Sequence, residues 1–391
     1  MTRFEKALIG AALIALPNLC LAAGNQLTVK AVNKLAIARP NQTIELSAKD
    51  LAPLGDDLTK IHVKDAAGKE VLCQAVDTDL DAYHEPDIVI FQADFAPKET
   101  KTFTAVAGEK QHYTKDQFKV HGRFVRERFD DFAWENDRIA HRTYGKALET
   151  WAGEPQISSS IDVWSKRTPR LLIDEWYMVD NYHADAGDGF DDYTAGQTRG
   201  CGGTGIWAAD KLWVSKSFVD SRVLANGPIR VTFELVYEAF DVNGVGAAEI
   251  KRVTLDAGQN LNHYQSYYKA YSRPEKPVTL TMAVGLKKVD GEEKVLNSEH
   301  AWLAKWEPME KNAGMQGLAV IVDPKLFEKQ TEDQRNLLML AKVPADGPVS
   351  FWAGFAWDKA GQFTTADAWK TYVDQFAQGL ASPIEVSITS P

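Results

Sequence analysis

One pattern recurs along nearly all of this chain. Short runs rich in Val, Ile, Thr and aromatic residues alternate polar with apolar and are broken by Gly, Pro, Asn and Asp. Runs at 27–32, 43–47, 61–63, 87–91 and 101–106 come first. Others follow at 119–126, 137–144, 160–164, 230–238, 249–256, 260–268, 279–286, 317–322 and 349–356. Alternation with period two puts the apolar side chains of an extended strand on one face. Such a chain buries its core by packing sheet against sheet. Helical periodicity is confined to 324–329 and 365–379, the second opened by the capping sequence Thr364-Thr365-Ala366-Asp367.

Residues 24–115 have the length and strand spacing of a small Ig-like sandwich, and a polar stretch at 108–117 ends it. Residues 116–391 hold too many strands for a simple sandwich and predict two large stacked antiparallel sheets, a supersandwich. Residues 1–23 read as a signal peptide: Arg3 and Lys6, an apolar run from Ala7 to Leu19, then Leu21-Ala22-Ala23. The run is too short to span a membrane, and Asn18-Leu19 does not suit lipidation of Cys20. A periplasmic or secreted protein without membrane insertion is expected. Cleavage changes the net charge of −10 little, since Arg3, Lys6 and Glu5 leave together. An acidic chain is a poor match for nucleic acid, whose phosphates need a basic patch. Cys73 and Cys201 lie far apart in segments of different character and read as buried free thiols. The oligomeric state is not written in the sequence.

Two segments do not read as scaffold. In the first, 126–145, an extended chain places Trp134, Asn136, Arg138, Arg142 and Tyr144 on one face, with Glu135, Asp137, Ile139, His141 and Thr143 on the other. An aromatic plate, an amide, guanidinium groups and a phenol suit an anionic sugar, because Arg forks a carboxylate. The second, 176–207, reads as a long Gly-rich loop carrying His183, Asp185, Asp188, Asp191, Asp192, Tyr193 and Arg199. Long ordered loops are commonly functional. Its acids only loosely mimic a calcium loop, so neither a metal nor a cofactor is expected. Around His263 the strand 262–268 gathers Tyr264, Tyr267 and Tyr268, either for proton transfer or as an aromatic ladder. Six of the 11 Trp fall between 134 and 213, which favours a sugar platform. Serine-hydrolase, zincin and dinucleotide motifs are not found.

The motifs Trp134-Glu-Asn-Asp137, Ala140-x-Arg142-x-Tyr144-Gly145, Tyr182-His-x-Asp185-x-Gly-x-Gly189-x-Asp191-x-Tyr193, Gly200-Cys-Gly-Gly203 and Ala225-Asn-Gly-Pro-Ile-Arg230 carry a resemblance across most of the chain. Together they resemble a family of exported bacterial proteins catalogued as a domain of unknown function and associated with breakdown of uronate polysaccharides such as pectin and ulvan. The chain is also similar to an ulvan oligosaccharide dehydratase. His141 stands where an apolar or aromatic residue is expected and is given no role.

The expected architecture is therefore all-β: an Ig-like sandwich, then a galactose-mutarotase-like supersandwich. The leading functional expectation is a metal-independent carbon–oxygen lyase acting on an anionic, uronic-acid oligosaccharide. Arg142, Arg199 and Asn136 would neutralise the sugar carboxylate. His183 or Tyr144 would take the C5 proton, and Tyr193 or the other of that pair would protonate the leaving oxygen. Trp134, Arg138, Asp185, Asp191 and His263 would bind the sugar. Two other readings stay open: a glycoside hydrolase using Glu135, Asp185 or Asp191, and a carbohydrate-binding protein without catalysis.

Overall fold

The computed structural model describes residues 26–79, 85–153, 158–179, 182–271 and 278–390; the signal-peptide reading of 1–23 lies outside them. The architecture is all-β. Two small sheets form the N-terminal sandwich. One orders Glu385–Thr389, Gln26–Val32, Thr100–Ala107, Ile61–Lys64 and Glu70–Val71; the other orders Arg39–Ser47, Ile88–Phe95 and Cys73–Val76. Alternate residues such as Val29, Ile44, Leu46, Phe91 and Phe103 fill the space between them. The last strand differs from the expected division of the chain. Glu385–Thr389 leaves the large domain and pairs antiparallel with Gln26–Val32, so both ends of the described chain meet in one sheet.

The large domain is a two-layer supersandwich. One layer is an eight-stranded sheet: Asp220–Asn226, Arg230–Val242, Val245–Asp256, Leu261–Tyr271, Val349–Trp357, Met315–Val322, Trp302–Pro308 and Glu293–Asn297, in that spatial order. The other layer is two five-stranded sheets side by side. The first orders Gly189–Phe190, Ile161–Lys166, Ala140–Thr143, Asp131–Asn136 and Val120–Val125. The second orders Lys211–Trp213, Cys201–Ala208, Thr281–Lys287, Asn336–Lys342 and Phe327–Glu332. Phe132, Trp134, Val163, Met282 and Met339 of this layer pack on Phe233, Val253, Tyr264, Leu318 and Phe351 of the eight-stranded sheet. Cys73 and Cys201 are buried free thiols. No helix among the described residues is long and apolar enough to cross a membrane.

Three local expectations change. The helix expected at 324–329 is instead an edge strand, Phe327–Glu332, paired with Asn336–Lys342. Pairing along a sheet edge outweighs a helical propensity too short to nucleate alone. The strand expected at 137–144 is shorter, Ala140–Thr143, and forms a hairpin with Asp131–Asn136. Asn136 Oδ1 accepts the backbone N–H groups of Arg138 (2.8 Å) and Ile139 (2.9 Å) and turns the chain there. Finally, the Gly-rich loop ends at Arg199. Cys201–Ala208 is a central strand with a bulge between Cys201 and Gly203. Gly200 and Gly202 have φ of +59° and +97°, and a Cβ on Gly200 would sit 1.9 Å from the Ile161 carbonyl oxygen. Glycine is needed where the two five-stranded sheets touch.

The helix Ala366–Ala381 is as expected, with Thr365 Oγ1 accepting from Ala368 N (3.2 Å). It covers half of the outer face of the eight-stranded sheet. Its anchor Trp369 is fully buried among Trp302, Trp306 and Ile321 and donates Nε1–H to the Leu318 carbonyl (3.2 Å). Trp369→Ala should cost about 3–5 kcal/mol, the usual result of emptying a buried aromatic site. Urea denaturation checks this, and a loss under about 1 kcal/mol would show that the helix does not depend on this anchor.

Candidate functional site

The hairpin at Asn136 sets which side chains reach the outer face of the first five-stranded sheet. His141 pairs across from Trp134, and Arg142 across from Ala133. Trp134 and His141 therefore face inward, while Arg142 shares the outer face with Asp131, Glu135, Asp162, Trp164 and Lys166. This corrects the single face expected for Trp134, Asn136, Arg138, Arg142 and Tyr144. Trp134 is fully buried, stacks on His141 at 5.1 Å and donates to Asn262 Oδ1 (2.8 Å); it is core, not a sugar platform. Burial pushes the pKa of His141 down to about 4. The neutral ring fits between the Asp162 carbonyl (3.0 Å) and the Asn262 amide (2.9 Å).

On the outer face, Arg142 is the hub. Its Nη2 donates to Asp162 Oδ2 (2.7 Å) and Asp191 Oδ2 (3.2 Å), and its Nε donates to Asp162 Oδ2 (3.1 Å). Its Nη1 donates to Tyr182 Oη (3.1 Å) and lies 3.9 Å from Asp131 Oδ2. Burial disfavours the guanidinium charge, but the carboxylates of Asp162 and Asp191 outweigh it and hold Arg142 protonated. Three carboxylates exceed what one buried cation can balance. Burial accordingly raises Asp131 to about 7, against the pull of Arg142 and Arg128, and raises Asp162 as well. Tyr144 donates to Asp162 Oδ2 (3.2 Å), and burial holds its phenol well above its ordinary pKa.

Residues 171–179 and 182–192 cover this face. Glu135 Oε1 accepts from the backbone N–H of Leu172 (2.6 Å) and Ile173 (2.7 Å), and its Oε2 pairs with Lys166 Nζ. Glu135 is thus a buried pin for the covering segment and is out of reach as a hydrolytic acid. Trp164, Trp176, Tyr177 and Tyr182 form a tilted aromatic cluster above it. At the mouth stands His183, with 47% of its side chain exposed. Its Nδ1 lies 3.0 Å from the Asp191 carbonyl oxygen and 3.3 Å from Asp191 Oδ2. Nδ1–H donation to Asp191 leaves Nε2 with its lone pair and no partner among the described residues, the arrangement of an oriented base. Tyr182 lies under the His183 ring at 4.4 Å and accepts at Oη from Arg128 Nε (2.9 Å) as well as from Arg142. Arg128 in turn lies over the Trp151 ring at 5.1 Å.

Of the residues expected at the site, His183, Arg142, Asp191 and Tyr144 converge here, and the others do not. Tyr193 is buried, its phenol pushed up by burial; it lines a cavity of about 20 Å³, room for one water and not for a sugar. Asp185 is exposed and paired with Arg167, and Asp188 lies 3.1 Å from Arg170. Among the described residues, carboxylates close enough to share a cation gather at Asp77, Asp79 and Asp87, in the N-terminal sandwich. Asn136 shapes its own turn and donates Nδ2 to the Asp256 and Gln259 carbonyls (2.7 and 2.8 Å). Arg138 bonds Asn260 Oδ1 (3.1 Å), away from the network. Arg199 is fully buried in the core, donating to Ser158, Ser159 (3.2 Å) and the Thr204 carbonyl (3.1 Å). Burial lowers its pKa to about 10, and no substrate carboxylate can reach it. His263 lies on the opposite face of the domain. Sequence reasoning missed Asp131, Asp162 and Arg128. A readable signal existed for Asp162: an acid between Ile161 and Val163 at the centre of a strand defies β propensity and needs a partner.

Comparison with known proteins places the chain among relatives. The model of the family described as "Domain of unknown function (DUF4861)" matches residues 32–386, and the chain belongs to that family. "Uncharacterized protein P7" of Formosa agariphila is 31% identical over 379 residues, covering 93% of both chains. Among solved structures, a protein in glycosyl hydrolase family 38 from Enterococcus faecalis superimposes with a TM-score of 0.51 at 10% identity. That match covers 93% of this chain and 47% of the other. The likeness is one of fold.

The network makes two predictions. Arg142→Ala should destabilise the protein by about 3–5 kcal/mol, because it strands buried carboxylates; folding that survives within about 1 kcal/mol would show the hub is dispensable. The second concerns pH. The folded carboxyl of Asp131 titrates near 7, and an unfolded Asp near 4. Between those values the folded state keeps a proton that the unfolded state has released, so stability falls as pH rises through the window. Asp131→Asn should flatten this decline and gain stability over the parent at pH 8 relative to pH 4. Urea midpoints across pH check it, and parallel profiles for the two proteins would refute it.

Proposed function

We propose that this member of the DUF4861 family is a carbon–oxygen lyase acting on uronic-acid-containing oligosaccharides in polysaccharide breakdown, with His183 as the base. The observation that carries the reading is the chain His183–Asp191–Arg142: an exposed imidazole whose inner nitrogen is held by a carboxylate that a buried guanidinium fixes in turn. Such support orients the ring and stabilises the imidazolium that forms when it takes a proton. The motif resemblance to uronate-degrading proteins supports the substrate class, and the N-terminal segment supports action in the periplasm or outside the cell.

In this reading Nε2 of His183 removes the C5 proton of the uronate ring. The electron pair passes through an enolate-like state and expels the C4 oxygen, leaving a C4–C5 double bond. The acid role moves from Tyr193, which lines a separate small cavity, and Tyr144, whose hydroxyl is given to Asp162, to Tyr182, which packs against His183. Its oxygen accepts from Arg128 and Arg142, which keeps its own O–H hydrogen available. Since Arg142 is committed to Asp162 and Asp191 and Arg199 lies in the core, the cation nearest a substrate carboxylate is Arg128. Stabilising the enolate-like charge is the larger part of the barrier reduction.

Incubation with a panel of uronate oligosaccharides should raise the ultraviolet absorbance of a double bond conjugated to the carboxylate. Product mass then tells whether water or a sugar departs. His183→Ala should lower kcat/KM by about 10²-fold or more with its unfolding midpoint kept, because the ring is half exposed. Products heavier by one water would make the enzyme a hydrolase, and full activity in His183→Ala would remove the base from this role.

A further inference from the structure

On the opposite side of the large domain from Arg142, the N-terminal sandwich leans over the outer face of the eight-stranded sheet. The two are tied at the rim: Gln74 Oε1 accepts from Ile229 N and Arg230 N (both 2.8 Å), and Gln92 Nε2 donates to the Ala257 carbonyl (2.9 Å). Between these ties and the C-terminal helix they leave a cavity of about 440 Å³, a volume typical of small-molecule sites. Its floor is a cross-strand row of Thr232, Thr254, His263 and Trp352, with Gln265 alongside.

The arginines that line it are already engaged. Arg230 makes a two-pronged contact with Asp256 (2.6 and 2.8 Å) and a third bond to Glu45 (2.6 Å). Arg252 donates twice to Glu234 (2.9 and 2.7 Å) and once to the Thr78 carbonyl (2.7 Å). An incoming carboxylate or sulfate would have to displace these partners. Asp77 adds a carboxylate to the rim, which disfavours an anionic guest further, and the remaining polar lining groups are the uncharged Thr, Gln and His side chains. Thr232 and Thr254 share one bond (3.2 Å), which leaves a hydroxyl hydrogen and lone pairs over. Gln259 uses its Nε2 on the Asn41 carbonyl (2.6 Å) and keeps its Oε1. No described group takes a hydrogen bond from, or gives one to, the Gln265 amide. His263 is neutral, since burial, with Arg230 nearby, pushes its pKa down to about 4. It stacks on Trp352 at 4.7 Å with the planes 10° apart.

Flat apolar rings beside uncharged donors and acceptors complement a molecule with hydroxyls at its rim and an apolar C–H face. We propose that this interdomain cavity is a second carbohydrate site, which takes a neutral pyranose residue, hexose or deoxyhexose, rather than a uronate. The proposal stands apart from the reaction assigned to His183, because the two regions lie on opposite faces of the supersandwich.

Isothermal titration of the full chain tests it, with a panel of neutral trisaccharides of hexose and deoxyhexose and a matching panel of uronate trisaccharides. At least one neutral trisaccharide should bind. Gln265→Ala, which breaks no internal hydrogen bond, should weaken that binding tenfold or more with the unfolding midpoint unchanged; Thr254→Trp, which fills the floor, should abolish it. His183→Ala should leave it intact. The proposal is overturned if no neutral saccharide binds, if Gln265→Ala and Thr254→Trp bind as the parent does, or if His183→Ala removes the binding.

Discussion

A single guanidinium, Arg142, organises one face of this protein. It is buried on a strand whose neighbours supply Asp131 and Asp162, and the covering segment supplies Asp191 and Tyr182. A buried carboxylate without a partner costs several kcal/mol. The segment is therefore held down because Asp191 has its partner only when it lies against the sheet. His183 follows Tyr182 directly and is held by the buried Asp191. The position of the exposed imidazole is thus a consequence of charge pairing beneath it, together with the packing of Trp176, Tyr177 and Tyr182 on Trp164.

The supersandwich keeps two outer faces with different character. One is ionic and hidden under a covering segment. The other is split between the C-terminal helix, which seals its half with Trp369, and the N-terminal sandwich, which stops short of sealing. Docking through polar ties such as Gln74 and Gln92 and one small apolar cluster, Val76 and Ile90 on Ala225 and Ile229, leaves room between them. The return of Glu385–Thr389 to the first sheet fixes that geometry. Arg39 reinforces it by donating to the Ser382 carbonyl (2.7 Å) and the Gly379 carbonyl (3.2 Å) at the end of the helix.

How much of this was legible follows from what each signal encodes. Alternation specified strands well, because a period of two is a property of neighbouring residues, and the all-β class followed. Faces were harder. One residue, Asn136, converts an apparent long strand into a hairpin, and a change of register moves every later side chain to the other face. Trp134 and Arg142 were parted in this way. The glycines of 200–205 read as loop because propensity registers their freedom, whereas their use is the close approach of two sheets. The motif positions His183, Asp191, Arg142 and Tyr144 do converge, yet of their partners Arg128 and Asp131 sit unremarked in the same segment as Arg142 and Asp162 comes from another strand, and pairing across strands is not written in local pattern. The cluster of Trp between 134 and 213 divides: Trp134 and Trp164 are core, while Trp151 and Trp176 stay partly open near the mouth.

Net charge was the weakest guide, and the structure explains why. The total of −10 averages over two buried imbalances of opposite sign. Beneath the covering segment carboxylates outnumber cations, and the excess is relieved by a proton retained on Asp131. In the core between the sheets the reverse holds. Arg199 and Lys251 lie fully buried near one buried carboxylate, Glu249, whose Oε1 is 3.6 Å from Lys251 Nζ and accepts from Ser266 (2.6 Å) and Thr204 (3.0 Å), while the half-buried Asp333 also acts on Arg199. Burial lowers the pKa of Lys251 as it does that of Arg199. In both places burial works against the excess charge, and the balance is set by partners within a few ångströms. The surface sum carries no information about either. In a protein of this architecture, the chemistry of the site has to be read from which buried groups share a face.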